Sequence, residues 1–353
     1  VGEAGELLLA PLPPAFAVRL ATDKELTRGY GRLYFAARDG WLPFRVYERV
    51  PRRLGGLPAV YFAAGRRAYS PFLYDDFPSY LEGIRSLAQP ERHTLRHVLL
   101  ACLGDGPLTR ELFARLGEEE LARPFLPEKR RCLAALRPHA AHIDALLRRK
   151  RERIRRYYQP LFAEEGERVL VFDLGYAGSI GEALHAATGK IVDKLYFWSE
   201  PENDERDRRL GSTTRCLLHT GYHLRLLLEE LFSPARGGVI DFTEDGHPVY
   251  EDVDLSPALR ADLEALEKSC CDYADAFCDS FADLAPSLAL PDGDAFLPLL
   301  ESLLFRSPFC NERLLRDIIF PDPVHCAAPT SLQKKQDALI LRTDTFAGTG
   351  FLD

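Results

Sequence analysis

Two short apolar, aromatic runs near the N-terminus end in the same way. Tyr34-Phe35-Ala36-Ala37 stops at Arg38-Asp39-Gly40, and Tyr61-Phe62-Ala63-Ala64 stops at Gly65-Arg66-Arg67. Between them, Trp41 to Arg53 has the length of one crossover helix. Runs joined in this way predict a βαβ unit: two parallel strands whose carboxyl ends share one edge of a sheet. The pattern returns at Arg168 to Leu174, a buried strand, followed by the glycine-rich turn Gly175-Tyr176-Ala177-Gly178-Ser179. A short helix from Ile180 to Thr188, capped by Gly189, then leads to a strand at Lys194 to Trp198.

Between the two units the period changes. From Pro78 to about Phe162 apolar residues recur at helical spacing, as in Leu95, Val98, Leu99 and Cys102. Gly104 to Pro107 breaks the stretch, Leu108 to Leu116 and Glu118 to Leu121 read as short helices, and Leu136 to Tyr158 reads as one long helix. Beyond Ser199, Pro201 to Arg209 reads as a polar loop crowded with charge, and Leu224 to Phe232 as a helix. Gly237 to Tyr250 reads as a hairpin around Glu244-Asp245-Gly246. Leu255 to Leu290 and Ala295 to Ile319 read as helices, and the tail as irregular. The expected fold class is α/β: a mainly parallel, Rossmann-like sheet built from βαβ units, with a helical insertion and a helical C-terminal region. Residues 1–77 and 166–253 form the two parts of the α/β core, 78–165 the insertion and 254–353 the C-terminal region.

Composition narrows the partners. A hydrophobic content of 46% and a charged content of 28% suit an ordinary globular protein with a sizeable core. The formal net charge of −8 argues against a nucleic-acid partner, which calls for a basic balance. No apolar run reaches the ~18 residues of a membrane helix, so no membrane span is expected. The apolar stretch from Leu7 to Ala21 carries Pro11, Pro13 and Pro14 and no basic leader, so it does not read as a signal peptide. The expected location is cytoplasmic. Eight cysteines without a CxxC pair read as buried thiols, not as a disulfide framework or a zinc site.

Open α/β sheets bind ligands at the carboxyl edge of their strands. Here that edge carries Arg38, Asp39, Gly40, Arg66 and Arg67. A guanidinium is a planar fork of donors that matches phosphate. Gly175 and Gly178 allow a tight turn, and Ser179 stands where a helix begins, so free backbone N–H groups and the helix dipole favour an anion. Taken alone, this segment is a strand-to-helix turn with Ser179 as an N-cap, and Arg38 with Asp39 is a structural pair. The arginines expected at the same edge shift the balance toward phosphate. Asp173 and Asp39 are the candidates for acid–base chemistry, and Asp173 for holding a magnesium ion.

Other charged groups read as structural. Arg148-Arg149-Lys150-Arg151, Arg153, Arg155 and Arg156 precede Tyr157 and Tyr158. A solvated helix face paired with the chain's acids is favoured there over a nucleic-acid contact. His93 with His97, and His219 with His223, have the spacing of a shared metal site but no acidic third ligand nearby, and read as surface or packing residues. His185 reads as packing.

A wider order of motifs resembles a known family. Arg38-Asp39-Gly40, Arg66-Arg67 and Asp173-Leu174-Gly175-Tyr176-Ala177-Gly178-Ser179 come first. Glu229-Glu230-Leu231-Phe232-Ser233, Gly237-Gly238 and Asp245-Gly246-His247-Pro248 follow. This order, over roughly Leu8 to Val253, resembles the companion (C-terminal) region of bacterial predicted hydrolases of the haloacid dehalogenase (HAD) superfamily, found in surface-polysaccharide biosynthesis clusters and sometimes fused to glycosyltransferases. Val171-Phe172-Asp173-Leu174 also fits the start of a HAD nucleophile motif, but Gly175 stands where its second acid belongs. No Asp-x-Asp precedes Leu8, and Gly65 replaces the usual serine before Arg-Arg. The resemblance implies binding of a phosphorylated or nucleotide-linked sugar, in support of its transfer or hydrolysis, with a HAD hydrolase or glycosyltransferase as partner. One alternative is a divergent phosphoribosyltransferase-like enzyme, for which Asp173 supplies one of the two usual acids and Leu174 replaces the other. The other is a non-enzymatic scaffold module, which expects the arginines in ion pairs and an exposed apolar surface between Leu255 and Phe305.

Overall fold

The two βαβ units join into one sheet. The computed structural model of the chain describes residues 10–74, 76, 79, 94–104, 106–219, 225–253, 255–284, 319–322 and 327–331. Helices α1 (Leu12–Thr22) and α2 (Lys24–Thr27) lead into β1 (Leu33–Ala36), α3 (Trp41–Tyr47), α4 (Pro51–Leu54), β2 (Ala59–Phe62) and the one-turn α5 (Arg66–Tyr69). The insertion contributes α6 (Leu95–Leu103), α7 (Pro107–Leu121), α8 (Lys129–Leu136) and α9 (Ala140–Leu161). Then come β3 (Arg168–Asp173), α10 (Ser179–Thr188), β4 (Ile191–Tyr196), α11 (Pro201–Leu210), β5 (Thr214–Cys216) and α12 (Arg225–Leu231). The hairpin β6 (Val239–Phe242) and β7 (Pro248–Tyr250) precedes α13 (Pro257–Phe281) and a second hairpin, β8 (Ile319–Asp322) with β9 (Ala327–Ser331).

The sheet has the order β2-β1-β3-β4-β5, and every pair is parallel. The central strands β1 and β3 are near-continuous apolar runs because both faces are covered. Leu33, Phe35, Leu170, Phe172, Leu195 and Phe197 face a core shared with α1, α3 and α13. Tyr34, Ala36, Val169, Val171 and Val192 face the opposite core, with α10, the end of α9 and β6. The crossover from β1 to β2 therefore runs over one face and that from β3 to β4 over the other. The winding reverses between β1 and β3, which makes a crevice at the carboxyl ends of those two strands.

The insertion has its own core, with Leu95, Leu99, Leu112, Phe125 and Ile143. Gly117, at φ +78°, breaks α7 between the two short helices expected there. Ile154 and Tyr158 near the end of α9 join the sheet core, so α9 belongs to both bodies. The expected hairpin forms as β6 and β7. Cys102, Cys132, Cys270, Cys271 and Cys278 are buried free thiols, and Cys310 and Cys326 lie outside the described residues.

Four readings change. Pro201 to Arg209 is a helix, not a loop. Pro201 starts it, Glu202 and Asp204 sit in its first turn, Arg208 and Arg209 in its last, and Gly211 closes it at φ +67°. It lacks an apolar stripe because the residues it buries are Asn203 and Asp207. For the same reason β4 begins three residues before Lys194: Asp193 and Lys194 look solvated in sequence but are both 1% exposed. The basic run on α9 is a solvated face in part: Arg148, Arg149 and Arg156 are exposed and Arg153 pairs with Asp241 and Glu244, but Lys150 is buried and Arg151 bonds inward to the Pro71 carbonyl. Finally, Ile319 opens a strand of the β8–β9 hairpin, whereas residues 285–318 fall outside the described residues.

A buried polar network replaces apolar packing under α10 and α11. The Lys194 ammonium bonds the Asp207 carboxylate. Asp207 also accepts from Ser212 at 2.6 Å and Thr214 at 2.7 Å, and Asn203 donates to Thr214 at 2.8 Å and Ser199 at 2.9 Å. Burial alone would raise the Asp207 carboxyl, but Lys194, Ser212 and Thr214 hold it below the ordinary carboxylate range. The folded form thus releases its proton more readily than the unfolded form, and the resulting stability is present at neutral pH and lost on acidification through that lowered value. Lys194→Met should cost about 3–5 kcal/mol in urea unfolding at pH 7, the usual cost of stranding a buried charge. Adding Asp207→Leu should recover most of that loss.

Candidate functional site

The crevice between β1 and β3 gathers most of the residues expected at the sheet edge. Asp39 follows β1, and its carboxylate accepts from Arg38 Nε at 3.3 Å and from Ser233 Oγ at 3.1 Å. The two side chains keep 17% and 18% exposure, so the pair lines a recess open to water and not the dry core. Gly40 begins α3, and its N–H bonds the Ala36 carbonyl at 2.9 Å, closing the turn that turns Arg38 and Asp39 out over the edge. Ser233 also bonds the Glu229 carbonyl at 2.5 Å, and the Phe232 carbonyl accepts from the Leu42 N–H at 2.9 Å. The end of α12 is thereby fixed against the β1 turn.

From β2 comes the short helix α5. Its Arg66 is exposed to solvent, and its charge is raised in pKa first by Tyr69, with Glu229 and Asp173 adding to the effect. Arg67 turns the other way and pairs with Glu251 at 2.8 Å, beside the β6–β7 hairpin. Gly65 passes so close to the Val239 carbonyl that any Cβ would collide with it. The glycine found where the resemblance expects serine thus has a packing reason.

From β3 comes Asp173, whose Oδ1 accepts the Leu174 N–H at 2.9 Å. The turn behind it packs the Gly175 α-carbon against the Trp198 carbonyl. Gly178, at φ +79°, is the N-cap of α10 and has no side chain to occupy the first N–H groups. Ser179 opens the helix, and its hydroxyl lies 3.1 Å from the Tyr69 hydroxyl. Arg206 accepts no role in the recess itself; it donates to the Ala177 carbonyl at 2.6 Å and so holds the turn from behind. Tyr176 projects from the turn with the Arg225 guanidinium 5.3 Å from its ring centre, and Arg225 pairs with Glu200 at 3.3 Å.

The recess is therefore mixed in charge: Arg38 and Arg66 face Asp39, Asp173 and Glu229. Burial raises the Asp39 carboxyl, and Arg38, Ser233 and Arg66 oppose this without cancelling it. Asp173 is pushed well above the ordinary carboxylate range, by burial first and then by the Asp39 charge, against the pull of the Leu174 N–H and Arg66. Both carboxyl groups are thus shifted the same way, and by the same leading cause, burial. Burial also raises the Tyr69 phenol, against the pull of Arg66 and Ser179.

Among the described residues no three His, Cys, Asp or Glu side chains gather as a metal cage. Asp39 and Asp173 supply two carboxylates, a donor set that suits a magnesium ion completed by water and by a ligand's phosphate. His97 bonds the Thr94 backbone at the start of α6, His185 bonds the Lys190 carbonyl at 2.9 Å, and both lie in helices structured by those bonds. His93 and His223 lie outside the described residues.

Sequence reasoning did not single out Tyr69, Tyr176, Arg225, Glu229 or Ser233 for the site. Glu229 and Ser233 did belong to the motif order that carries the resemblance. Tyr69 had a usable signal, since it stands three residues after Arg66 and falls on the same side of a helical turn. Among the described residues no helix is long and apolar enough to cross a membrane. No protein-family model matches the chain, and no curated protein matches it either.

The raised Asp173 pKa has a sign that stability can report. The unfolded chain releases this proton first, so between the ordinary carboxylate value and the folded one stability falls as pH rises. Asp173→Asn removes that loss. The variant should melt a few degrees above the parent chain at pH 7–8, with the gap closing toward pH 4. Thermal melts across that range check it, and a variant less stable at every pH would refute the assignment.

Proposed function

We propose that the crevice binds the phosphate of a small molecule, and that the ligand is a phosphorylated or nucleotide-linked sugar handled in surface-polysaccharide assembly. The observation that carries the phosphate reading is the meeting, at the point where the sheet's winding reverses, of Arg66 with the uncapped first turn of α10, beside the Arg38–Asp39 pair. Arg66 supplies an exposed guanidinium, the first N–H groups of α10 supply backbone donors, and Ser179 adds a hydroxyl. Arg38 adds positive charge from the β1 side. If magnesium accompanies the ligand, Asp39 and the ionised form of Asp173 are the residues that would hold it, and it would supply positive charge against the phosphate. Asp173, which holds its proton unusually well, is the group suited to give or take a proton at the ligand. The sugar rests on the motif order alone. So does the place of this chain beside a HAD hydrolase or a glycosyltransferase, and its support of transfer or hydrolysis.

A second reading, the scaffold module, has its own observations. Arg38 and Arg67 are in ion pairs, and α13 with its following turn exposes Tyr273, Phe281 and Leu284 at 45%, 47% and 55%. It predicts that a HAD hydrolase or glycosyltransferase encoded beside this chain binds it in light scattering, and that Phe281→Ser weakens the complex.

A thermal-shift panel separates the two. It would hold sugar phosphates, nucleotide sugars, phosphoribosyl pyrophosphate and nucleotides, each with and without magnesium. A ligand at a hundred times its Kd should add about 2.7 kcal/mol of stability. Arg66→Ala should shrink the shift strongly without removing it, since the α10 N–H groups remain, and Arg38→Ala should reduce it less. A shift confined to phosphoribosyl pyrophosphate with magnesium would turn the assignment to the phosphoribosyltransferase-like enzyme. No shift at millimolar ligand would overturn the phosphate reading.

A further inference from the structure

The segment that carries Arg66 and Tyr69 lies beyond the end of its own strand and packs against β6 without joining a ladder. β2 lies at the edge of the sheet and ends at Phe62, and the chain beyond it makes only the one-turn α5 and a 3-10 turn at Ser70–Phe72. Backbone groups in such a stretch need partners from elsewhere. Four side chains of α9 provide them. The Ala63 N–H donates to the Tyr157 hydroxyl at 2.7 Å, and the Tyr158 hydroxyl donates to the Ala63 carbonyl at 3.1 Å. Lys150 donates to the Arg67 carbonyl at 3.2 Å, and Arg151 to the carbonyls of Pro71 at 2.7 Å and Tyr74 at 2.5 Å.

Lys150 is the centre of this arrangement. It is 1% exposed, and its second bond, at 3.0 Å, goes to the Cys102 carbonyl at the end of α6. A buried ammonium held by backbone carbonyls is costly to place. Here it joins the body of the helical insertion to the turn behind Arg66. Tyr158 is fully buried and approaches Phe62 edge-on, with ring centres 6.2 Å apart, so its hydroxyl has little freedom to find another partner.

We infer that α9 is the positioning element of the recess, and that Lys150 and Tyr158 set where Arg66 and Tyr69 stand by holding residues 63–74. This rests on the phosphate reading for its consequence, but not for its structural half. Lys150 and Tyr158 bond backbone carbonyls behind the recess. They act through Arg66, and through Tyr69 on Ser179.

The test uses the full chain with Lys150→Met and Tyr158→Phe, read by hydrogen exchange and by inorganic phosphate binding at a temperature where each variant is folded. Both variants should exchange faster across residues 63–74 and as the parent does in β1, β3 and β4. Phosphate affinity should fall by about tenfold, as expected when a binding group is displaced by an ångström or so. Because Lys150 acts through Arg66, the double variant Lys150→Met/Arg66→Ala should bind no more weakly than Arg66→Ala alone. Additive losses would overturn the inference, as would unchanged exchange at 63–74 in both variants, or faster exchange with unchanged affinity. If Lys150→Met loosens the whole chain, Tyr158→Phe, which removes only a hydroxyl, decides. If the parent chain binds no phosphate, the phosphate reading fails by itself, and the exchange comparison still decides whether α9 holds the segment.

Discussion

The reversal of winding between β1 and β3 is the constraint from which the rest follows. A parallel sheet needs a crossover for each strand pair, and right-handed crossovers in opposite directions must use opposite faces. Covering both faces explains the apolar β1 and β3 runs, and it explains why α1, α3 and α13 share one core while α9 and α10 share the other. The reversal also leaves adjacent strand ends whose following chains part company. That gap is what brings Asp39 and Asp173 into mutual electrostatic contact, and what lets α12 close over them through Ser233.

Charge inside the molecule is handled by two different rules. Beneath α10 and α11, Lys194, Asp207, Asn203, Ser212 and Thr214 satisfy one another, and the net result is a carboxylate held below its ordinary pKa. In the recess the charges are only partly matched, and both carboxyl groups stand above theirs. The first pattern is what a structural network looks like: each charge has its partners within the fold. The second is unfavourable for the protein alone and becomes favourable when something positive or protonated shares the space. The contrast, more than any single residue, singles out the crevice and not the buried pair as the candidate site.

The sheet was legible because apolar runs ending at charge and glycine are a strong signal for buried parallel strands, and the crevice was legible because its residues follow directly on those runs. Gly178 and Ser179 could be placed at a helix start from their order alone. What could not be read is polarity used as core. Asn203 and Asp207 made α11 look like a loop, and Asp193 and Lys194 hid the start of β4, because partners such as Thr214 for Asn203 and Tyr30 and Arg168 for Asp193 lie on other elements of the chain. Two residues of the basic run on α9 escaped the solvated-face reading for the same reason. Lys150 and Arg151 bond carbonyls at Arg67 and Pro71, and nothing in their own neighbourhood announces it.

Arg66 and Arg67 show how finely the outcome depends on local geometry. In sequence they are one feature, a pair of arginines after a strand. On a helix, neighbours point about 100° apart. Once α5 forms at residue 66, one of them must face the crevice with Tyr69, three residues on, and the other must leave it. Arg67 leaves toward Glu251, and its carbonyl meets Lys150 from behind. The turn is thus pinned on the side away from the recess by Glu251 and α9, which leaves the Arg66 guanidinium at the recess and in solvent. The two arginines that read as one feature are therefore one group exposed at the crevice and one anchor to Glu251.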